Sequence, residues 1–244
     1  MKFIGIIPAR YQSVRFPGKP LAVINGKPMI QRTWEQASKA LETVIVATDD
    51  NRIRQAVESF GGIAVMTSSE HRSGTDRCAE AETNYSRQTG INFDVIINIQ
   101  GDEPYIQPEQ IKLLAGCFGT EDVQIATLIK KINKSEEIFN PNNPKVIFDK
   151  NGNAIYFSRS PIPFIMGKPE MEWIDSHYFF RHIGMYAYRV ATLHSIVGLK
   201  PSLLETAEAL EQNRWLENNY KIRVIETYMD TIAIDTPGDL DRIT

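Results

Sequence analysis

The chain has 244 residues, of which 42% are hydrophobic and 23% charged, a composition that suits a soluble protein with a substantial buried core. Its 27 basic and 30 acidic side chains give a formal net charge of -3, so no general field draws nucleic acid or an anionic membrane, and phosphate must be held by a local group of cations. Cys78 and Cys117 stand outside any CxxC or Cys/His spacing and read as reduced thiols, and no apolar run approaches the ~18 residues of a membrane span.

The first predicted element is a strand, Phe3 to Ile7, which stops at Pro8 and is too short for a signal-peptide core. A cytoplasmic protein is therefore expected. Further short β-branched runs follow at Val44 to Ala47, Ala64 to Met66, Val95 to Ile99 and Ile125 to Ile129. Between them lie helical spacings at about Met29 to Leu41, Arg52 to Phe60, Thr75 to Tyr85 and Pro108 to Phe118. Strand and helix in alternation predict an α/β fold, a mostly parallel Rossmann-like sheet with helices on both faces. From about Ser135 the rhythm changes, with turn residues from Asn140 to Pro144 and dense aromatics from Tyr156 to Tyr188. This reads as an antiparallel lobe over about 135–190, inserted in one domain spanning 1–244. A helix over Leu203 to Asn218 and strands at Ile222 to Thr227 and Thr231 to Ile234 complete the pattern.

Ligands of an open parallel sheet bind beyond the carboxyl ends of its strands. The loop after the first strand holds Arg10, Arg15, Gly18 and Lys19, three cations facing the charge of a nucleoside triphosphate. It lacks both GxxxxGK[ST] and GxGxxG. Singly, these cations read as solvated surface charges; their joint place at a strand end favours phosphate. The fourth predicted strand of the parallel series runs into Gln100-Gly101-Asp102-Glu103-Pro104. Asp102 is there either a turn-forming residue or a Mg²⁺ ligand, since that ion takes one or two carboxylates plus phosphate oxygens and water. Late in the chain, Thr236, Pro237 and Asp239 form a helix-capping pattern, which leaves Asp235 as the second candidate carboxylate.

The runs Pro8-Ala9-Arg10-Tyr11 and Arg15-Phe16-Pro17-Gly18-Lys19-Pro20-Leu21 resemble the signature loop of sugar cytidylyltransferases, in the version found in CMP-Kdo synthetases (3-deoxy-manno-octulosonate cytidylyltransferases). The Gln-Gly-Asp-Glu-Pro turn at Gln100, the late Asp-Thr-Pro at Asp235, and Ser73-Gly74-Thr75-Asp76-Arg77 are similar to the same family. So are the segments around Ser158-Arg159 and His182-Ile183-Gly184-Met185-Tyr186, and Leu203 to Gln212. The resemblance covers Ile6 to Leu240. Asn213 departs from it, standing where leucine is common.

The resemblance implies a fold of the nucleotide-diphospho-sugar transferase type, CTP and the 2-keto acid sugar Kdo as substrates, Mg²⁺ as cofactor, and a homodimer. It assigns Arg10, Ser13, Arg15, Lys19, Gly74, Arg77 and Gln100 to the nucleotide. Gln100, Arg159, His182, Tyr186, Glu211 and Gln212 fall to the sugar. Asp102 and Asp235 hold the metal, and with Arg10 and Lys19 form the catalytic set. The implied reaction gives CMP-Kdo and pyrophosphate for lipopolysaccharide synthesis. Alternatives are CMP transfer to 8-amino-Kdo or a sialic acid, a glycosyltransferase using a nucleotide sugar, and a CTP sensor without turnover.

Overall fold

The computed structural model describes residues 1–12, 16–230, 234 and 236–240. The chain divides into two compact units, Met1–Ala115 with Ala187–Val197 and Asp230–Thr244, and Gly116–Tyr186 with Gly198–Met229.

The first unit opens with β1 (Phe3–Ala9), a two-stranded antiparallel ribbon of β2 (Val23–Ile24) and β3 (Lys27–Pro28), and α1 (Met29–Ala37). β4 (Val44–Thr48), α2 (Asn51–Ser59), β5 (Ile63–Met66), α3 (Gly74–Thr89), β6 (Val95–Asn98) and α4 (Pro108–Gly116) follow. β1 pairs in parallel with β6 on one side and β4 on the other, and β4 pairs in parallel with β5. Successive strand side chains point to opposite faces. Ile6 and Ile7 are both 0% exposed, so both faces of β1 are covered, as its unbroken apolar run requires.

The second unit holds β7 (Ile125–Lys131), α5 (Ser135–Phe139), β8 (Lys145–Phe148), β9 (Ala154–Ser158) and α6 (Trp173–Ser176). β10 (Phe180–Arg189) begins in this unit, and its last three residues belong to the first, where α7 (Val190–Val197) follows. β8 pairs antiparallel with β9 and with β10, the antiparallel part that the turn and aromatic pattern predicts. The helix expected over Leu203 to Asn218 is two: α8 (Leu203–Glu208) and α9 (Glu211–Glu217), separated by Ala209 in the left-handed region at φ 49°. β11 (Ile222–Glu226) pairs in parallel with β7. In the first unit, α10 (Pro237–Leu240) begins as its sequence predicts, with Asp239 accepting from the Thr236 N–H at 2.8 Å. The strand expected at Thr231 to Ile234 lies outside the described residues except for Ile234.

Candidate active site

At the carboxyl end of β1 the backbones of neighbouring segments run close together. A Cβ on Gly101 would stand 3.1 Å from the Pro8 carbonyl oxygen, and one on Gly74 would stand 3.2 Å from the Pro8 ring. Glycine at both positions lets the turn after β6 and the start of α3 close on the end of β1. The loop after β1 is tied by the Gly18 N–H, which donates to the Tyr11 carbonyl at 2.8 Å. Gly18 has φ 71°, and a Cβ there would meet the Tyr11 ring. The Arg52 guanidinium lies over that ring, its carbon 3.3 Å from the centroid, while Asp50 holds Arg52 through two bonds of 3.0 and 2.6 Å.

Lys19 and Asp102 meet within this frame, Nζ to Oδ2, at 2.7 Å. Their side chains keep 16% and 27% of their surface, so a ligand can reach both. Arg10 is exposed one residue beyond β1, and Gln100 and Gly74 are half-buried. The Ile234 N–H donates to the Asp102 carbonyl at 2.9 Å, which brings the residue before Asp235 to this turn. Ser13, Arg15 and Asp235 lie outside the described residues.

Arg77 is 1% exposed and is built into the floor. It donates to Thr67 at 2.6 Å and stands 3.4 Å from Asp49, linking the ends of β5 and β4. Asn98, the last residue of β6, is 3% exposed and its Oδ1 has no hydrogen-bond partner. The first turn of α3 carries a full capping box between Ser73 and Asp76.

The sugar-side candidates lie in the second unit, where Tyr186 and Gln212 are buried and Arg159, His182 and Glu211 are half-buried. His182 is packed edge-on to Phe157 and against Tyr186, with ring centroids 5.1 and 5.2 Å apart. Desolvation pushes its imidazolium down to about 3, so the ring is neutral at physiological pH. Its Nε2 lies 2.9 Å from Thr127 Oγ1. The single Thr127 hydroxyl proton goes to the Met185 carbonyl at 2.8 Å, so we assign the proton of that contact to His182 Nε2. Nδ1 is then left as an acceptor. Burial, then the Glu211 carboxylate, raises the Tyr186 phenol well above its ordinary value, so it too stays neutral. Gln212 is 4% exposed and its Nε2 has no hydrogen-bond partner among the described residues.

Arg159 differs from these. Its guanidinium donates to three backbone carbonyls, Glu208 at 2.6 Å, Pro141 at 2.9 Å and Ala209 at 3.3 Å. One N–H on each terminal nitrogen remains for a ligand. Four residues to which the sequence assigns no site role support this cluster. Thr127 orients His182, Lys145 donates to the carbonyls of Asn140 and Arg159 at 2.9 and 2.6 Å, and Glu208 and Asn213 bond to β9. Burial lowers the Lys145 ammonium to about 8. Their only sequence signal is a polar residue within an apolar strand or helix face.

The family model for cytidylyltransferases matches residues 4–222. A 3-deoxy-manno-octulosonate cytidylyltransferase of Parabacteroides distasonis is 58% identical, over 99% of this chain and 96% of that protein. The chain belongs to this cytidylyltransferase family. A second member, from Cytophaga hutchinsonii, is 55% identical over 100% of this chain and 97% of its own. A solved CMP:2-keto-3-deoxy-manno-octonic acid synthetase complexed with CTP has 40% identity and a TM-score of 0.89, covering 100% of this chain and 97% of its own. For a cytidylyltransferase the strand-end geometry is apt: a cation and a carboxylate meet beyond the carboxyl ends of parallel strands, beside a glycine turn that closes on the end of β1.

Proposed function

We propose that this cytidylyltransferase transfers the CMP group of CTP to the anomeric oxygen of 3-deoxy-manno-octulosonate, releasing pyrophosphate for lipopolysaccharide synthesis. The observation that supports this reading of the site is the Lys19–Asp102 ion pair, 2.7 Å long and still open to solvent at the strand ends. Arg10, Ser13, Arg15 and Lys19 hold the triphosphate, with Gly74, Arg77 and Gln100 beside the nucleoside. Buried Arg77 acts by shaping the floor through Thr67 and Asp49.

The donor set fits Mg²⁺. Asp102 offers a hard carboxylate at a ligand-accessible strand end, and the backbone bond from Ile234 brings the segment bearing Asp235 to the same turn. Asp102 and Asp235 would hold the ion, which supplies charge neutralisation at the phosphates. Lys19 orients the triphosphate for in-line attack by the sugar hydroxyl at C2, which forms the new O–Pα bond as the bond from Pα to the departing pyrophosphate breaks. Neutral His182 accepts a sugar hydroxyl at Nδ1, neutral Tyr186 donates from its phenol, and Glu211 and Gln212 bind further hydroxyls. The remaining N–H groups of Arg159 face the sugar carboxylate. Aligning two bound substrates contributes up to roughly 7 to 11 kcal/mol in well-oriented systems, so positioning accounts for much of the required rate.

Exposed Phe164, Met166, Met171 and Tyr178 support a homodimer contact in the segment before β10. No helix among the described residues is long and apolar enough to cross a membrane. Mass-spectrometric detection of the CMP-sugar after incubation with CTP, Mg²⁺ and the acid sugar tests the reaction. Cleavage of a supplied nucleotide sugar with no CMP-sugar formed would instead favour a glycosyltransferase.

A further inference from the structure

Helix α9 carries Glu211 and Gln212 in its first turn, and the chain is fastened to β9 on both sides of that pair. Ahead of it, the Glu208 carboxylate accepts from the Ser158 hydroxyl at 2.6 Å, the Arg159 N–H at 2.9 Å and the Tyr156 hydroxyl at 3.0 Å. Behind it, Asn213 is 1% exposed and bonds both polar ends of its side chain to one residue. Its Oδ1 accepts from the Phe157 N–H at 3.3 Å, and its Nδ2 donates to the Phe157 carbonyl at 2.9 Å.

This is how a neighbouring strand would pair. Among the described residues β9 pairs with β8 alone, so its other edge presents unpaired backbone groups, and Asn213 satisfies two of them. The anchors fall on consecutive residues of one strand, Phe157 and Ser158. One anchor at the end of α8 and one in the first turn of α9 bracket Glu211 and Gln212 and restrain the start of α9 against both sliding and rotation relative to β9. Phe157 is also the ring packed edge-on to His182. One strand residue thereby supports the histidine and sets the helix that carries Gln212, whose buried Nε2 has no hydrogen-bond partner among the described residues.

We propose that Asn213 and Glu208 are positioning residues for the acid sugar, holding Glu211 and Gln212 in register with His182 by clamping α9 to the free edge of β9. This rests on the sugar assignment made above. A displacement of about 1 Å in a substrate-holding group can cost on the order of a hundredfold. Loss of the clamp is therefore expected on the sugar side alone.

The test compares wild-type chain with Asn213→Leu and Glu208→Gln, varying each substrate in turn, and follows amide hydrogen exchange of residues 211–217 on the same samples. The expected result is a rise of about tenfold or more in the KM for 3-deoxy-manno-octulosonate, a KM for CTP within about twofold of wild type, and faster exchange in α9. Asn213→Asp, which keeps the acceptor and loses the donor, should fall between. Equal changes in both KM values, or an unchanged sugar KM with unchanged exchange, would overturn the proposal. Should Asn213→Leu fail to fold, the near-isosteric Glu208→Gln gives the same reading. Wild-type silence with this sugar would overturn the sugar assignment itself, and is distinguished from failure of the clamp because exchange is read without turnover.

Discussion

At the strand ends of the first unit, Lys19 and Asp102 meet with part of each side chain still in water, on loops that glycines allow to close. In the second unit, Tyr186 and Gln212 are buried and His182 is half-buried against the Thr127 hydroxyl, while the neighbouring Asn213 bonds to the backbone of β9. A triphosphate brings its own charge and its own metal, so its site needs reachable, mobile cations. A polyhydroxylated acid sugar carries one carboxylate and is told apart mainly by hydroxyl geometry, and fixed, desolvated partners discriminate best because any left unpaired is costly. Substitutions in the first region should therefore act on rate, and those in the second on sugar affinity and on stability.

The largest expected effect is on the charged side. Asp102→Asn should lower kcat on the order of 10³-fold while the melting temperature holds, as initial-rate assays and a thermal melt would show. Unchanged turnover would remove Asp102 from the site. Next comes His182→Phe, which deletes the acceptor that the Thr127 bond leaves free. It should raise the sugar KM roughly tenfold to a hundredfold and leave CTP affinity alone, matching a loss of about 1–3 kcal/mol for an unpaired buried partner. Equal shifts in both substrates would merge the two regions and break the comparison.

A pH effect on stability separates the regions without turnover. The folded-state value of about 3 for His182 lies below the ordinary value of about 6.5, so on acidification the unfolded chain takes up the proton first. The stability this contributes is complete above about pH 6.5 and is lost as pH falls towards 3, by up to about 1.4 kcal/mol per pH unit. Denaturant titrations of wild type and His182→Gln over that range should differ by this slope, and parallel curves would mean that the imidazole is not held neutral. The smallest effect is Gly18→Ala, where a Cβ at φ 71° meets the Tyr11 ring. It should cost about 1–2 kcal/mol and raise the CTP KM with no change for the sugar.

Much of the first unit was legible in the sequence because its information is local. Buried parallel strands read as unbroken apolar runs, and the caps at Ser73 and Thr236 each sit three residues from their partner acids, Asp76 and Asp239. The glycines at 18, 74 and 101 marked the loops around Lys19 and Asp102. The second unit was less legible because its decisive bonds span long stretches of chain. Nothing near Ala209 announces a helix break, since neither glycine nor proline stands there. The break lies where Arg159, fifty residues earlier, donates to the Glu208 and Ala209 carbonyls. His182 is neutral through burial and is oriented by Thr127 on another strand, so no spacing reveals its protonation. Asn213 departs from the family pattern, and its two bonds to Phe157 join residues 56 positions apart, which no local spacing reveals.

The account stands most directly on pyrophosphate release from CTP and Mg²⁺ with 3-deoxy-manno-octulosonate, its 8-amino analogue and a sialic acid supplied in separate reactions. The prediction is release with 3-deoxy-manno-octulosonate, lost in Asp102→Asn. Release with only one of the other sugars would contradict the substrate assignment, and no release with any of the three would contradict the proposed reaction.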